Sequence, residues 1–193
     1  NDVINNEKCN HYVVPLTRKI TLFKDLKATY VLYRILVREK PDIVHTHTPK
    51  AGIVGMLASY LANVPFRLHT VAGLPLLEAR GFKRVVLNFV EKLTYKCSTK
   101  VFPNSYGLKK IILKNKFTSN DKLQVIGNGS SNGIDTSYFD RELFLSLENN
   151  TLKSELGVEI NDFVFIFVGR VVSDKGINEL VEAFDRFCLL EQD

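Results

Sequence analysis

Short apolar runs alternate with amphipathic stretches from residue 22 to residue 126, and an alternation of that kind leaves few architectures open. The pattern predicts a strand at His11–Val14, a helix over Leu22–Glu39, a strand at Asp42–Thr46 and a helix over Lys50–Ala62. It continues with a strand at Phe66–Thr70, a helix over Phe82–Lys96, a strand at Lys100–Pro103, a helix over Ser105–Lys116 and a strand at Leu123–Ile126. Strand and helix in strict turn give a parallel sheet with helices on its faces, an α/β fold. Pro41 stops the first helix, and Asn104-Ser105 can cap the last one. Polar residues gather where these strands end: His45, Thr46, His47, Thr48, His69, Thr70, Asn104, Ser105, Gly127 and Asn128. The carboxyl edge of an open α/β sheet is where ligands bind.

A second signal lies downstream. Phe163–Val168 is a run of aromatic and β-branched residues that reads as a strand buried on both faces. Gly169-Arg170 ends it, and a short polar loop brings Lys175-Gly176 to the start of an amphipathic helix. Two cations beside a helix N-terminus, where free N–H groups already favour an anion, suit a diphosphate. The stretch has neither the glycine fingerprint of dinucleotide sites nor that of P-loops, so side chains supply the charge. Arg170 and Lys175 would neutralise the charge growing on a diphosphate leaving group, with no metal and no cofactor required. The competing reading is a pair of solvated loop cations.

Composition narrows the setting. Three scattered cysteines (Cys9, Cys97, Cys188) make neither a disulfide framework nor a zinc knuckle, and they fit a reducing cytoplasm. No apolar run reaches the roughly 18 residues that span a bilayer. The net charge is +5, but eleven Lys/Arg between Arg80 and Lys122 face only Glu91 and Asp121, so that segment carries +9. In its first helix Val85, Val86, Phe89, Val90 and Leu93 form a stripe with a core pattern, while Lys83, Arg84, Lys92 and Lys96 lie mostly off it. The cations form a solvated face or attract anionic lipid. Nucleic acid is disfavoured because few aromatics interleave with them.

Five motifs run in order: Lys40-Pro-Asp-Ile-Val-His-Thr-His-Thr-Pro-Lys-Ala-Gly52, Leu68-His-Thr-Val-Ala-Gly-Leu-Pro75, Val101-Phe-Pro-Asn-Ser105, Gly127-Asn-Gly-Ser-Ser-Asn-Gly-Ile-Asp135 and Gly169-Arg170 with Lys175-Gly176. Together they resemble the family-four retaining glycosyltransferases of two-domain GT-B fold, of the capsular polysaccharide and O-antigen type. The resemblance implies a Rossmann-like acceptor-side domain over 1–135 with its first strand missing. It further implies a connection over 136–160 and the truncated start of a nucleotide-sugar domain over 161–193. It implies transfer of a sugar from a nucleoside diphosphate carrier, UDP by expectation, to a lipid- or polysaccharide-linked acceptor. The setting would be bacterial surface polysaccharide synthesis, peripheral on the inner face of the plasma membrane, with the chain inactive alone.

By the same resemblance His69 faces the donor sugar as the catalytic residue, and Gly169, Arg170 and Lys175 bind the donor diphosphate. His47, Thr48 and Lys50 belong to the acceptor-side cleft. The bland alternative for His69 is a core histidine bonded to a backbone carbonyl. His45 and His47 share a strand face and could take a metal with His69 or His11, but no acidic ligand sits at a matching spacing. Other readings are a nucleotide-sugar epimerase of the same architecture, which needs no acceptor, and a non-catalytic sugar-nucleotide or membrane adaptor.

Overall fold

A computed structural model of the chain describes residues 9–17, 21–130, 132–140, 142–143, 154–159 and 161–190, the side chains of 174 and 190 excepted. The chain divides into two compact units, Asn1–Gly133 and Ile134–Asp193.

The first unit contains α1 (Leu22–Glu39), β1 (Ile43–His47), α2 (Pro49–Leu61), β2 (Phe66–Val71), α3 (Gly81–Cys97), β3 (Lys100–Pro103) and α4 (Tyr106–Lys114). The strands form one parallel sheet in the order β1-β2-β3, with His45 opposite Leu68, His47 opposite Thr70 and Thr70 opposite Phe102. Local chemistry sets the helix ends. The Thr21 N–H donates to Asp25 Oδ2 at 3.1 Å at the start of α1, and Lys40 closes that helix in the left-handed region at φ 47, just before Pro41. Ser105 Oγ accepts from the Leu108 N–H at 3.1 Å, the cap expected for α4. α3 is held at its far end by two cations. Lys122 Nζ donates to the carbonyls of Ser98 (2.9 Å) and Tyr95 (3.2 Å), and Arg67 Nε donates to that of Cys97 (2.6 Å).

The core of this unit lies between the sheet and α3 and α4: Val71, Leu74, Leu76, Tyr95, Val101, Ile112, Phe117 and Leu123 are all buried. α2 sits against the sheet through two glycines. A Cβ on Gly52 would lie 2.5 Å from His69 Cε1, and one on Gly55 would lie 2.4 Å from Thr46 Cγ2. Helix and sheet approach that closely only without side chains between them.

Three expected strands come out differently. His11–Val14 pairs with no described strand; Tyr12 instead lies under the Arg38 guanidinium, 5.2 Å from its ring centroid. Leu123–Ile126 is reduced to one parallel bridge, Leu123 to Val101. The second unit holds a turn of 3-10 helix at Ser173–Lys175 and then α5 (Ile177–Leu190). Phe163–Val168, expected as a strand buried on both faces, has no ladder partner among the described residues. Phe163, Ile166 and Val168 are more than four-fifths exposed. The physical reason is that an extended run becomes a central strand only between neighbours, and no described strand flanks this one. Phe165 anchors it to α5, its ring meeting those of Phe184 and Phe187 at 5.8 Å each.

Candidate functional site: a cleft at the carboxyl edge of the sheet

Residue parity along the strands decides which side chains meet. β1 and β2 each send alternate residues to opposite faces. On one face His45, His47 and Thr70 come together: His45 Nε2 and Thr70 Oγ1 share a 2.8 Å hydrogen bond, and the two imidazole rings lie 4.3 Å apart. Phe102 of β3 meets His45 edge-on at 6.1 Å. These residues, with Asn104, Ile126, Gly129 and Ser130, line a cleft of about 270 Å³. Its far wall is stitched to the sheet. The Ser130 N–H donates to the Asn104 carbonyl at 2.6 Å. Gly129 lies at φ +92, where a Cβ would fall 2.4 Å from that same oxygen. Only glycine fits there. Partial burial, then the charge of His47, hold the His45 pKa below its ordinary value.

His69 belongs to the other face, which corrects the expectation that it looks into the cleft. Its ring is 2 % exposed, its Nδ1 is 2.8 Å from Thr46 Oγ1, and α2 covers it at Gly52. Burial pushes its pKa down to about 4, so it is neutral at physiological pH. The bland alternative of a core histidine bonded to a carbonyl is half right, since the partner is a hydroxyl. The same parity separates His69 from the His45–His47 pair, so the trio with His69 does not converge.

Of the acceptor-side residues, His47 is in the cleft and Thr48 and Lys50 are not among its lining residues. Thr48 turns the chain from β1 into α2 at φ 73, ψ 146. Lys50 Nζ is 2.8 Å from Asp25 Oδ1 and 3.0 Å from Thr17 Oγ1, tying α2 to α1. Its charge is therefore engaged inside the unit. In the second unit Gly169 and Arg170 follow the extended run, and the Arg170 carbonyl accepts from the Val172 N–H at 2.9 Å. Lys175 is exposed one residue before Gly176, which at φ +70 turns the chain into α5. The cations thus stand in sequence on the approach to a helix N-terminus. The sequence reading missed Phe102, Ile126 and Ser130. The signal for Phe102 was its alternation with Val101 on β3, legible once the register with Thr70 is known.

A parallel α/β layer with a cleft at the carboxyl edge of its strands defines a Rossmann-like domain. The glycosyl transferase 4-like domain model matches residues 3–129, and the chain belongs to that family. It is 40 % identical over 174 residues to the capsular polysaccharide biosynthesis glycosyltransferase CapM of Staphylococcus aureus, covering 90 % of this chain and 44 % of that protein. It is 36 % identical to an Escherichia coli enzyme named UDP-Gal:alpha-D-GlcNAc-diphosphoundecaprenol alpha-1,3-galactosyltransferase, covering 89 % of this chain and 43 % of the relative. With alpha-maltose-1-phosphate synthase of Mycolicibacterium smegmatis it shares 32 % identity, over 78 % of this chain and 38 % of the other. The chain spans less than half the length of these relatives.

Proposed function

We propose that the protein is a retaining glycosyltransferase of bacterial surface polysaccharide synthesis. It moves a sugar from a UDP-linked donor to a lipid-linked acceptor at the inner face of the plasma membrane. The observation that carries the reading is the cleft of His45, His47, Thr70, Asn104 and Ser130 at the carboxyl edge of a family-four sheet. The name of the E. coli relative supplies the class of donor and acceptor, and that of the S. aureus relative supplies the polysaccharide setting.

In this reading residues 1–135 form the acceptor side, 136–160 the connection, and 161–193 begin the donor side. His47, Thr70 and Asn104 hydrogen-bond acceptor hydroxyls, and the Phe102 ring offers an apolar platform. Gly169 leaves room for the diphosphate, while Arg170 and Lys175 offset its growing charge. The bond from the anomeric carbon to the diphosphate oxygen breaks as the acceptor oxygen bonds to that carbon on the same face. The acceptor's proton passes to the departing diphosphate. His69 acts from below as a positioning residue, holding β1 to β2 through Thr46.

The test is transfer by the full-length protein from UDP-sugars to an undecaprenyl-diphosphate-linked sugar. Arg170→Ala and Lys175→Ala should each lower kcat by about 100-fold or more, the usual cost of losing one group that stabilises developing negative charge. Product that forms without any acceptor, as an epimerized nucleotide sugar, would replace this reading with an epimerase. Donor binding without any product would replace it with an adaptor.

A further inference from the structure

His45 and His47 stand two residues apart on one face of β1, so an extended strand separates their Cα atoms by about 6.6 Å. Their rings are closer than that, 4.3 Å between centroids, with the planes tilted by 41°. The two imidazoles lean together. Thr70 Oγ1 holds His45 Nε2 from β2 at 2.8 Å, and Phe102 of β3 meets the same ring edge-on at 6.1 Å. Both histidines are nevertheless exposed, on the wall of the cleft of about 270 Å³. No lysine or arginine is among the described residues that line this cleft, so nothing there repels a cation. Two nitrogens on one zinc ion, each about 2.0–2.1 Å from the metal, lie about 3.3 Å apart in a tetrahedral site. The outer torsion of a histidine is soft, and small ring rotations bring this pair to that spacing.

We propose that His45 and His47 together chelate a divalent transition metal ion, zinc or copper, in the cleft. Imidazole suits both cations, and copper(II) binds most tightly of the divalent first-row metals. Among the described residues no group of three or more histidines, cysteines and carboxylates is placed to hold a metal. The site is therefore a two-ligand one, with water or a ligand oxygen completing the coordination shell. An ion on His45 Nε2 displaces the bond to Thr70, whose hydroxyl can then donate to coordinated water. Such an ion takes no part in the transfer step proposed above. It claims the side chains of His47 and Thr70 that the proposed function gives to acceptor hydroxyls, so bound metal opposes acceptor binding. That consequence rests on the proposed function, whereas the metal site rests on the cleft alone.

The test uses full-length protein without a purification tag and with accessible thiols alkylated, because Cys9 and Cys188 are exposed and thiolates also take these metals. Titration with Cu²⁺ should fill a site whose electron paramagnetic resonance spectrum carries splitting from two imidazole nitrogens. His45→Gln and His47→Gln should each remove one nitrogen from that spectrum. Each should weaken binding by about 10–100-fold or more, at least the cost of losing a group that only orients a ligand. Zn²⁺ should displace the copper, and Mg²⁺, which prefers oxygen, should not. Zn²⁺ should also raise the thermal midpoint of the parent and leave those of the two variants where they are. A parent spectrum with one nitrogen or none would overturn the proposal, whether or not the variants fold. So would a two-nitrogen spectrum that survives in both variants, since the metal would then lie elsewhere. An acceptor KM that rises with bound Zn²⁺ supports the site and the acceptor reading together. A two-nitrogen site that leaves KM unchanged keeps the metal proposal and moves the acceptor out of this cleft.

Discussion

A histidine closed in by Thr46, Gly52 and Tyr95 has no water to stabilise its charged form, which is why His69 sits at a pKa of about 4 rather than 6.5. Between those two values the unfolded chain binds a proton that the folded one excludes. The contribution is therefore complete above about pH 6.5 and is lost as pH falls toward 4, about 3 kcal/mol in all. Chemical denaturation from pH 7.5 down to 4.5 should show this slope, and His69→Gln should flatten it. An unchanged slope would mean that the ring is hydrated. Glu91 pulls the other way. Burial raises its pKa, so its contribution is present at acid pH and declines as pH rises through the folded value. Glu91→Gln should accordingly raise the thermal midpoint at pH 7.5 and have little effect at pH 4. The sequence showed that His45 and His47 share a strand face. That His69 lies on the opposite one follows only from the β1–β2 register, which depends on pairing between distant segments.

At the scale of elements, spacing located the helices and strands of the first sheet to within one residue, the end of α4 excepted, because each has its own period and stop signal. α1 ends where Lys40 and Pro41 end it, and α4 begins at the Ser105 cap. α4 stops two residues before the expected end because Lys116 turns the chain at φ 52. The buried side of α3 was not legible. An apolar stripe is evidence of a preferred face, not of which neighbour covers it. The seating of α2 was hidden too, since a glycine in a helical pattern reads as a weakness until its neighbour is seen. Gly52→Ala puts a methyl group into a buried ring that cannot retreat, and should cost about 1–3 kcal/mol in urea denaturation. Gly73→Ala is the control and should change stability little, since nothing lies within 4 Å of the point a Cβ would occupy there.

Across the whole molecule, two units with unlike packing share one chain. The first has a sheet, a core and a cleft, while the second rests on α5 and the rings of Phe165, Phe184 and Phe187. The composition of 163–168 is that of a strand, but composition does not supply the neighbours that would bury it, and no described strand flanks it. Hydrogen exchange on residues 1–193 should separate the units: amides of Phe66–Val71 exchange slowly, and those of Phe163–Val168 exchange at nearly the rate of an open chain. Slow exchange at 163–168 would mean that those amides have found partners.

Arg67 of β2 and Lys122 grip the last carbonyls of α3, while Tyr95 is buried in the core and Leu87 packs against it. The helix is therefore fixed along its inner side as well as at its end, and Arg67 joins that end to the strand that presents Thr70 to the cleft, three residues further along.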